Sequence, residues 1–178
     1  MKPDLSSMTI RQVQETDLPR LEWEGQYTHF RKVYRHAFEE SQRGDRVLLV
    51  AEADDQLIGQ IFIHLNALHL GTGLSIPTAY LHSFRVRSGY RNYGVGSKLL
   101  AQAEETMVDL GIELAVIAVS KQNARALHFY QKWGYAIFRE DSGRWSYLDH
   151  RGRLHEVHDP SFMLKKEIGQ AQPDGGER

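Results

Sequence analysis

The run Arg91-Asn92-Tyr93-Gly94-Val95-Gly96-Ser97 joins a strand-like stretch, Ala79 to Val86, to a helix-like one, Ser97 to Leu110. A turn of that kind binds anions. Glycine has no Cβ, so the backbone at Gly94 and Gly96 can approach a ligand closely, and the amides that open the following helix lack intrahelical acceptors. The expected ligand is therefore phosphorylated. Two common phosphate ligands do not fit. A nucleoside-triphosphate loop needs Lys-Ser or Lys-Thr after its last glycine, whereas Gly89 and Gly94 are followed by Val95. A dinucleotide loop needs a third glycine where Leu99 stands and an acidic residue closing the next strand, which here ends on Val119-Ser120.

The remaining pattern, Arg-x-x-Gly-x-Gly after a strand, is similar to the coenzyme A pyrophosphate loop of the GNAT superfamily of N-acetyltransferases. A second block extends the resemblance: Asn123, Ala126, Phe129 and Tyr130, then Gly134-Tyr135, look like the family's Asn-x-x-Ala-x-x-Phe-Tyr and Gly-Tyr elements. The likeness runs from Met8 to Lys166 in element order, with the diagnostic motifs between Leu81 and Tyr135. It implies an α/β (α+β) fold in one domain. The sheet would be mixed and mostly antiparallel, with helices on both faces and a central parallel pair splayed near Val86 and Val119. It also implies acetyl-coenzyme A as cosubstrate. The backbone of Phe84, Arg85 and Val86 would pair with the pantetheine arm, and Asn123 would touch it. Arg91 opens the pyrophosphate loop, whose main-chain amides run through Asn92, Tyr93, Gly94, Val95, Gly96 and Ser97. The Phe84 amide could also polarise the thioester carbonyl.

The implied reaction is acetyl transfer to a primary amine by direct attack in a ternary complex, because no cysteine is present to carry an acyl group. The acceptor is an amine-bearing small molecule or peptide. Two alternatives stand beside this reading: a non-catalytic acyl-coenzyme A sensor, and a protein N-terminal or lysine acetyltransferase. An alkylammonium of pKa about 10.4 is neutral in only about one molecule per thousand near pH 7, so a base is wanted. His82 occupies the position where many family members carry a glutamate base, and an ordinary histidine pKa of about 6.5 suits that work. Strand alternation puts it on one face with Tyr80, Phe84 and Val86, unless a bulge intervenes. The alternative is a hydrogen-bonded core histidine. Tyr130 matches the family tyrosine that approaches the sulfur and would donate to the departing thiolate; its alternative is a core aromatic beside Phe129 and Trp133. Asn123 also stands where a helix N-cap belongs, accepting from Arg125 or Ala126.

The elements that must position these groups can be read from periodicity. Thr9 to Val13 alternates as a strand, Thr16-Asp17 supply a helix cap ahead of Leu18, Leu21 and Trp23, and Tyr27 to Phe38 has helical spacing. Arg46 to Ala53 and Gln56 to Leu65 form a hairpin around Asp54-Asp55, and Ala67 to Pro77 is a loop. The helix after the glycine loop places Leu99, Leu100, Ala103, Met107 and Leu110 on one side. Glu113 to Val119 is a continuous apolar run, as in a strand covered on both faces. Gly111 and Gly134 fit left-handed helix ends. Tyr135 to Glu140 and Phe162 to Glu167 read as strands, with a hairpin from Trp145 to Val157 between them. That hairpin and the aromatic set Trp23, Tyr27, Phe30 and Tyr34 are candidate walls of the acceptor pocket.

With 178 residues, one domain over 1–168 and a flexible tail over 169–178 are expected. A net charge of −1 offers no general attraction for nucleic acid. Locally, Arg85, Arg87, Arg91 and Lys98 crowd the glycine loop with no acidic residue between Ala79 and Ala103, which makes a positive field for phosphates. No metal is expected: His155 and His158 differ by three and would face opposite sides of a strand. The amino terminus has no apolar leader and no stretch is long enough to span a bilayer, so a cytoplasmic protein without a membrane partner is expected. A homodimer is left open.

Overall fold

The computed structural model describes residues 3–67 and 75–169. The sheet is built from β1 (Thr9–Gln12), β2 (Arg46–Ala53), β3 (Gln56–His64), β4 (Thr78–Val86), β5 (Leu114–Ser120), β6 (Ala136–Asp141) and β9 (Ser161–Glu167), in the order β1-β2-β3-β4-β5-β9-β6. All pairings are antiparallel except β4 with β5. A separate two-stranded sheet joins β7 (Arg144–Leu148) to β8 (Leu154–His158). The helices are α1 (Arg31–Gln42), α2 (Val95–Asp109) and α3 (Ala124–Lys132), with 3-10 turns at Glu15–Glu22, Thr28–Phe30 and Ser88–Tyr90. Most of the expected loop, residues 68–74, and of the expected tail, residues 170–178, lie outside the described residues.

Burial on both faces explains why β2 reads almost continuously apolar. Val47, Leu49 and Ala51 pack with α2 residues Leu99, Leu100, Ala103 and Met107 in one core. Leu48 and Val50 turn to the other face and meet Tyr34 and Ala37 of α1. Helices therefore cover both faces, as expected. The hairpin turn at Asp54-Asp55 has both residues in the left-handed region, at φ 48° and 58°, the mirror-image turn whose twist suits adjoining strands.

Three local expectations change. Thr16-Asp17 do not cap a helix start: Gln14 holds that place, and Asp17 accepts from the Gln14 amide at 2.8 Å while pairing with Arg11 and Arg20. Pro19 lies inside this segment, which stays a 3-10 helix. Trp23 is buried but falls after that turn, at φ 45°, rather than within a helix. Leu110, expected on the buried side of α2, is 53% exposed, because the helix ends at Asp109 and the chain turns at Gly111, φ 77°.

Close packing of α2 on the sheet depends on Gly59 in β3. A Cβ there would lie 2.8 Å from Leu99 Cδ1 and 3.2 Å from the Arg85 carbonyl oxygen. Leu99 belongs to the helix whose first turn carries the glycine loop, so the fit at Gly59 sets where that loop stands. Gly59→Val should destabilise the fold by about 1–3 kcal/mol, read from urea unfolding at constant m-value. An unchanged midpoint would show that α2 can move away without cost.

Candidate active site

The register of β3 against β4 contains the feature that shapes the site. Gln60 faces Arg85 and Phe62 faces His82, so β4 carries one extra residue, and Ser83 within it sits at φ 52°. The Gln60 side chain is buried and donates from Nε2 to the Ser83 carbonyl at 3.2 Å, which holds the bulge. A bulge reverses the alternation of side chains beyond it. Phe84 and Val86 therefore join Leu81 on the α2 face. His82 stays with Tyr80 and Phe62 on the α1 side, and Arg85 joins it there. The expectation that His82 shares a face with Phe84 and Val86 is thus corrected.

Parallel pairing of β4 with β5 covers only Thr78–Leu81 against Leu114–Ile117. Past that point β5 stays paired with β9 to Ser120, whereas the β4 edge from His82 to Val86 separates from it. A cleft of about 810 Å³ opens there, lined on its two sides by Phe84 and by Val119, Asn123 and Tyr130. Tyr130 is buried, with its ring 6.1 Å from that of Phe84. Burial, with a smaller contribution from Tyr80, raises its pKa well above the ordinary phenol value, so it stays protonated. Asn123 caps α3 by accepting from the Ala126 amide at 3.0 Å, as its position in the sequence implies.

At one end of the cleft α2 begins. Gly94 is its N-cap at φ 85°, and Asn92 is also left-handed at φ 68°. The Lys98 N–H makes the first intrahelical bond, to Gly94 O at 3.0 Å, leaving the amides of Val95, Gly96 and Ser97 ahead of it. Gly96 lies over Phe84, Val86 and Phe129, where an added Cβ would make only ordinary contacts. Arg91 Nε donates to the Val86 carbonyl at 2.9 Å and closes the loop on its strand, while Tyr93 projects outward.

The basic residues divide differently from their order in the sequence. Arg91 and Lys98 stay by the loop, and Arg125 of α3, which sequence reasoning missed, joins them through the Asn92 side chain. Arg87 instead pairs with Glu24 at 2.6 Å and lies over Trp23. Arg85 leaves for the other face, where Nη1 donates to the Tyr34 hydroxyl at 2.6 Å. Glu24 and Arg125 are distant in sequence, so counting charges along one segment could not find either.

His82 differs most from expectation. Its Nε2 lies 2.6 Å from Arg46 Nη1, and Nδ1 lies 3.1 Å from Ser83 Oγ. A guanidinium can only donate, so Nε2 must be the accepting nitrogen and Nδ1 carries the proton. Burial, then the charges of Arg46, His64 and Arg85, push the His82 pKa down to about 3. The histidine is neutral near pH 7 with its basic lone pair already engaged. The hairpin β7–β8 closes the far end: Trp145 stacks against Phe30 at 6.2 Å, and Tyr147 packs on the same ring at a tilt, 4.9 Å away. Phe30, Tyr34, Arg144 and Trp145 line the cleft. His155 is held by Asp149 at 2.8 Å and by Tyr147, and among the described residues no group of histidines and carboxylates has the arrangement of a metal site.

Residues 10–135 match the profile of the Acetyltransferase (GNAT) family. The chain belongs to this family. The chain is also 32% identical over 104 residues to the acetyl transferase GW6a of Oryza sativa subsp. japonica, an alignment covering 53% of the chain and a quarter (25%) of that protein's length. Its fold is shared with the PaiA N-acetyltransferase of Thermoplasma acidophilum solved with coenzyme A (23% identity, 91% and 99% of the two chains, TM-score 0.67). It is shared too with the ribosomal-protein-S18-alanine N-acetyltransferase of Escherichia coli (18%, 94% and 97%, 0.68). Arabidopsis thaliana NAA60, solved with acetyl-CoA, is similar to the same degree (18%, 92% and 99%, 0.68).

The depressed pKa of His82 sets a pH dependence of stability in this protein. The unfolded histidine titrates near 6.5, so between about pH 6.5 and 3 the unfolded state binds the extra proton, and stability falls as pH falls. Above pH 6.5 the full stability is present. His82→Gln should flatten the slope between pH 6.5 and 5 by up to about 1 kcal/mol per pH unit, measured by urea unfolding at each pH. Equal slopes in both proteins would mean that His82 titrates as it does in water.

Proposed function

We propose that this protein moves an acetyl group from acetyl-coenzyme A to a primary amine, by direct attack within a ternary complex in the cleft between β4 and β5. The observation that carries the reading is the unpaired β4 edge ending at a helix N-terminus. An extended pantetheine arm can add to such an edge as a further strand, and the pyrophosphate then reaches the amides of Val95, Gly96 and Ser97. Phe84, Arg85 and Val86 supply that edge in our reading, with Asn123 opposite. Arg91, Lys98 and Arg125 add positive charge to the phosphate end. That two structural relatives were solved with coenzyme A and with acetyl-CoA supports a ligand of this kind.

In this mechanism the thioester carbonyl is polarised by the backbone at the bulge, the neutral amine attacks it, and the C–S bond breaks with the thiolate leaving beside Tyr130. The proton that the new amide nitrogen sheds passes through water to that thiolate, which departs as the free thiol. Thiols ionise near pH 8.5, below a buried phenol, so full transfer of the Tyr130 proton to the thiolate runs uphill. Tyr130 therefore acts by donating a hydrogen bond that strengthens as charge builds on sulfur, rather than by giving up its proton completely. His82 serves in our reading as a neutral wall that fixes Arg46 and the bulge. A base of pKa about 3 whose lone pair already accepts from Arg46 is poorly suited to deprotonate an ammonium. The amine is better selected in its neutral form, since a cleft wall carrying Arg46 and Arg85 disfavours the ammonium.

Steady release of free thiol that needs both acetyl-coenzyme A and an amine would support transfer. Binding of acetyl-coenzyme A with no release across an amine screen would favour the sensor instead. Tyr130→Phe should lower kcat by about 100-fold while leaving the affinity for acetyl-coenzyme A within about threefold. Equal loss in kcat and in affinity would remove Tyr130 from the chemical step and assign it to cofactor packing.

A further inference from the structure

We propose that the acceptor amine also carries a carboxylate, and that Arg85 binds it. This inference rests on the reading of the cleft as an acetyl-transfer site. The β4 bulge turns the Arg85 side chain to the α1 side of the sheet, away from the face where α2 packs. Its guanidinium carbon lies 4.2 Å from the ring centre of Tyr27 and 5.1 Å from that of Phe30. One nitrogen donates to the Tyr34 hydroxyl.

Arg85 is half-buried at the cleft wall, yet among the described residues no carboxylate pairs with it. Its neighbours in the fold are treated otherwise. Arg46 has Glu40 at 2.5 Å, Arg31 has Glu22 at 2.6 Å, Arg87 has Glu24 at 2.6 Å, and Arg139 has Asp141 at 3.3 Å. A guanidinium has five N–H donors in one plane, and stacking on rings occupies its faces while leaving its edges free. That edge matches the two oxygens of a carboxylate. The one charge of a single guanidinium fits a monoanion better than a phosphate dianion. The unneutralised field is felt nearby: after burial, the charge of Arg85 is the next influence holding His29 below its ordinary pKa, and it also acts on His82.

The surrounding rings complete the pocket. Tyr27 and Phe30 stack face to face within 6.3 Å, and Trp145 lies against Phe30, so the acceptor body has aromatic surface to cover. A polyamine with no anionic group would meet Arg85 as a like charge. An amino acid or similar molecule places its carboxylate on Arg85, its body along these rings, and its amine toward the bulge at Ser83 and Phe84.

The test uses matched sets: phenylalanine, leucine and glutamate, each beside its α-carboxamide and the corresponding amine lacking the α-carboxyl group. Calorimetry against the coenzyme A-saturated protein reads acceptor affinity, and free-thiol release reads transfer. In the wild type the α-carboxylate member of at least one set should bind about 10- to 100-fold more tightly than both partners. Arg85→Gln should erase that ratio, and Arg85→Lys should restore part of it, since lysine keeps the charge without the planar fork. Either variant suffices if the other fails to fold, and the wild-type ratio stands alone if both fail. No preference for the carboxylate in any set, or equal weakening of all members by Arg85→Gln, overturns the assignment. Selective carboxylate binding without thiol release would uphold it while rejecting acetyl transfer, and thiol release without selectivity would do the reverse.

Discussion

The two central parallel strands stop sharing hydrogen bonds after Leu81 and Ile117, and the rest of the site depends on that separation. Leaving buried backbone groups unpaired costs about 1–3 kcal/mol for each one, so an open edge inside a sheet persists only if something else pays that cost in contacts. Here β5 is anchored to β9 along its whole length, while the extra residue in β4 bends that strand and adds twist. The strands diverge because only one of them bends. The open edge then remains for water or for an extended ligand that can serve as the missing strand.

The same bulge sorts side chains between two tasks. Before it, His82 faces the α1 side; after it, Phe84 faces α2 and Tyr130, and Arg85 faces α1. A strand without the extra residue would exchange Phe84 with Arg85, putting a charge among the rings of Phe129 and Tyr130 and a phenyl ring beside Tyr34. Gln60 holds this geometry from the neighbouring strand by a single hydrogen bond to Ser83. Gly59, next to it, lets α2 come close enough for its first turn to meet the open edge.

Much of this was legible in the residues themselves. The glycine loop, the cap at Asn123, the hairpin limits around Asp54-Asp55 and the helix ends at Gly111 and Gly134 follow from local rules that do not need the rest of the chain. The mixed sheet with its central parallel pair and the helices on both faces were legible through the resemblance of two spaced blocks. What sequence could not supply was long-range. A bulge is a mismatch between two strands, so nothing within β4 alone announces that Ser83 is the extra residue. The His82 pKa depends on Arg46, thirty-six positions away, and Arg87 is neutralised by Glu24, sixty-three positions away. A histidine in a plausible place looks like a base until its neighbours are known.

Those neighbours bear on the amine attack we propose. An environment that keeps an imidazole uncharged also disfavours an ammonium in its place, because burial and nearby arginines act on both in the same direction. Each unit by which the amine pKa falls is worth about 1.36 kcal/mol toward the neutral, nucleophilic form. Such a site would repel the abundant protonated form of a simple amine before it arrived. A second group of opposite sign resolves the conflict, since Arg85 can attract through the carboxylate while the amine end loses its proton near Arg46 and His82. The charge that recruits the acceptor is then different from the charge that must be shed before attack, and the two demands no longer oppose each other.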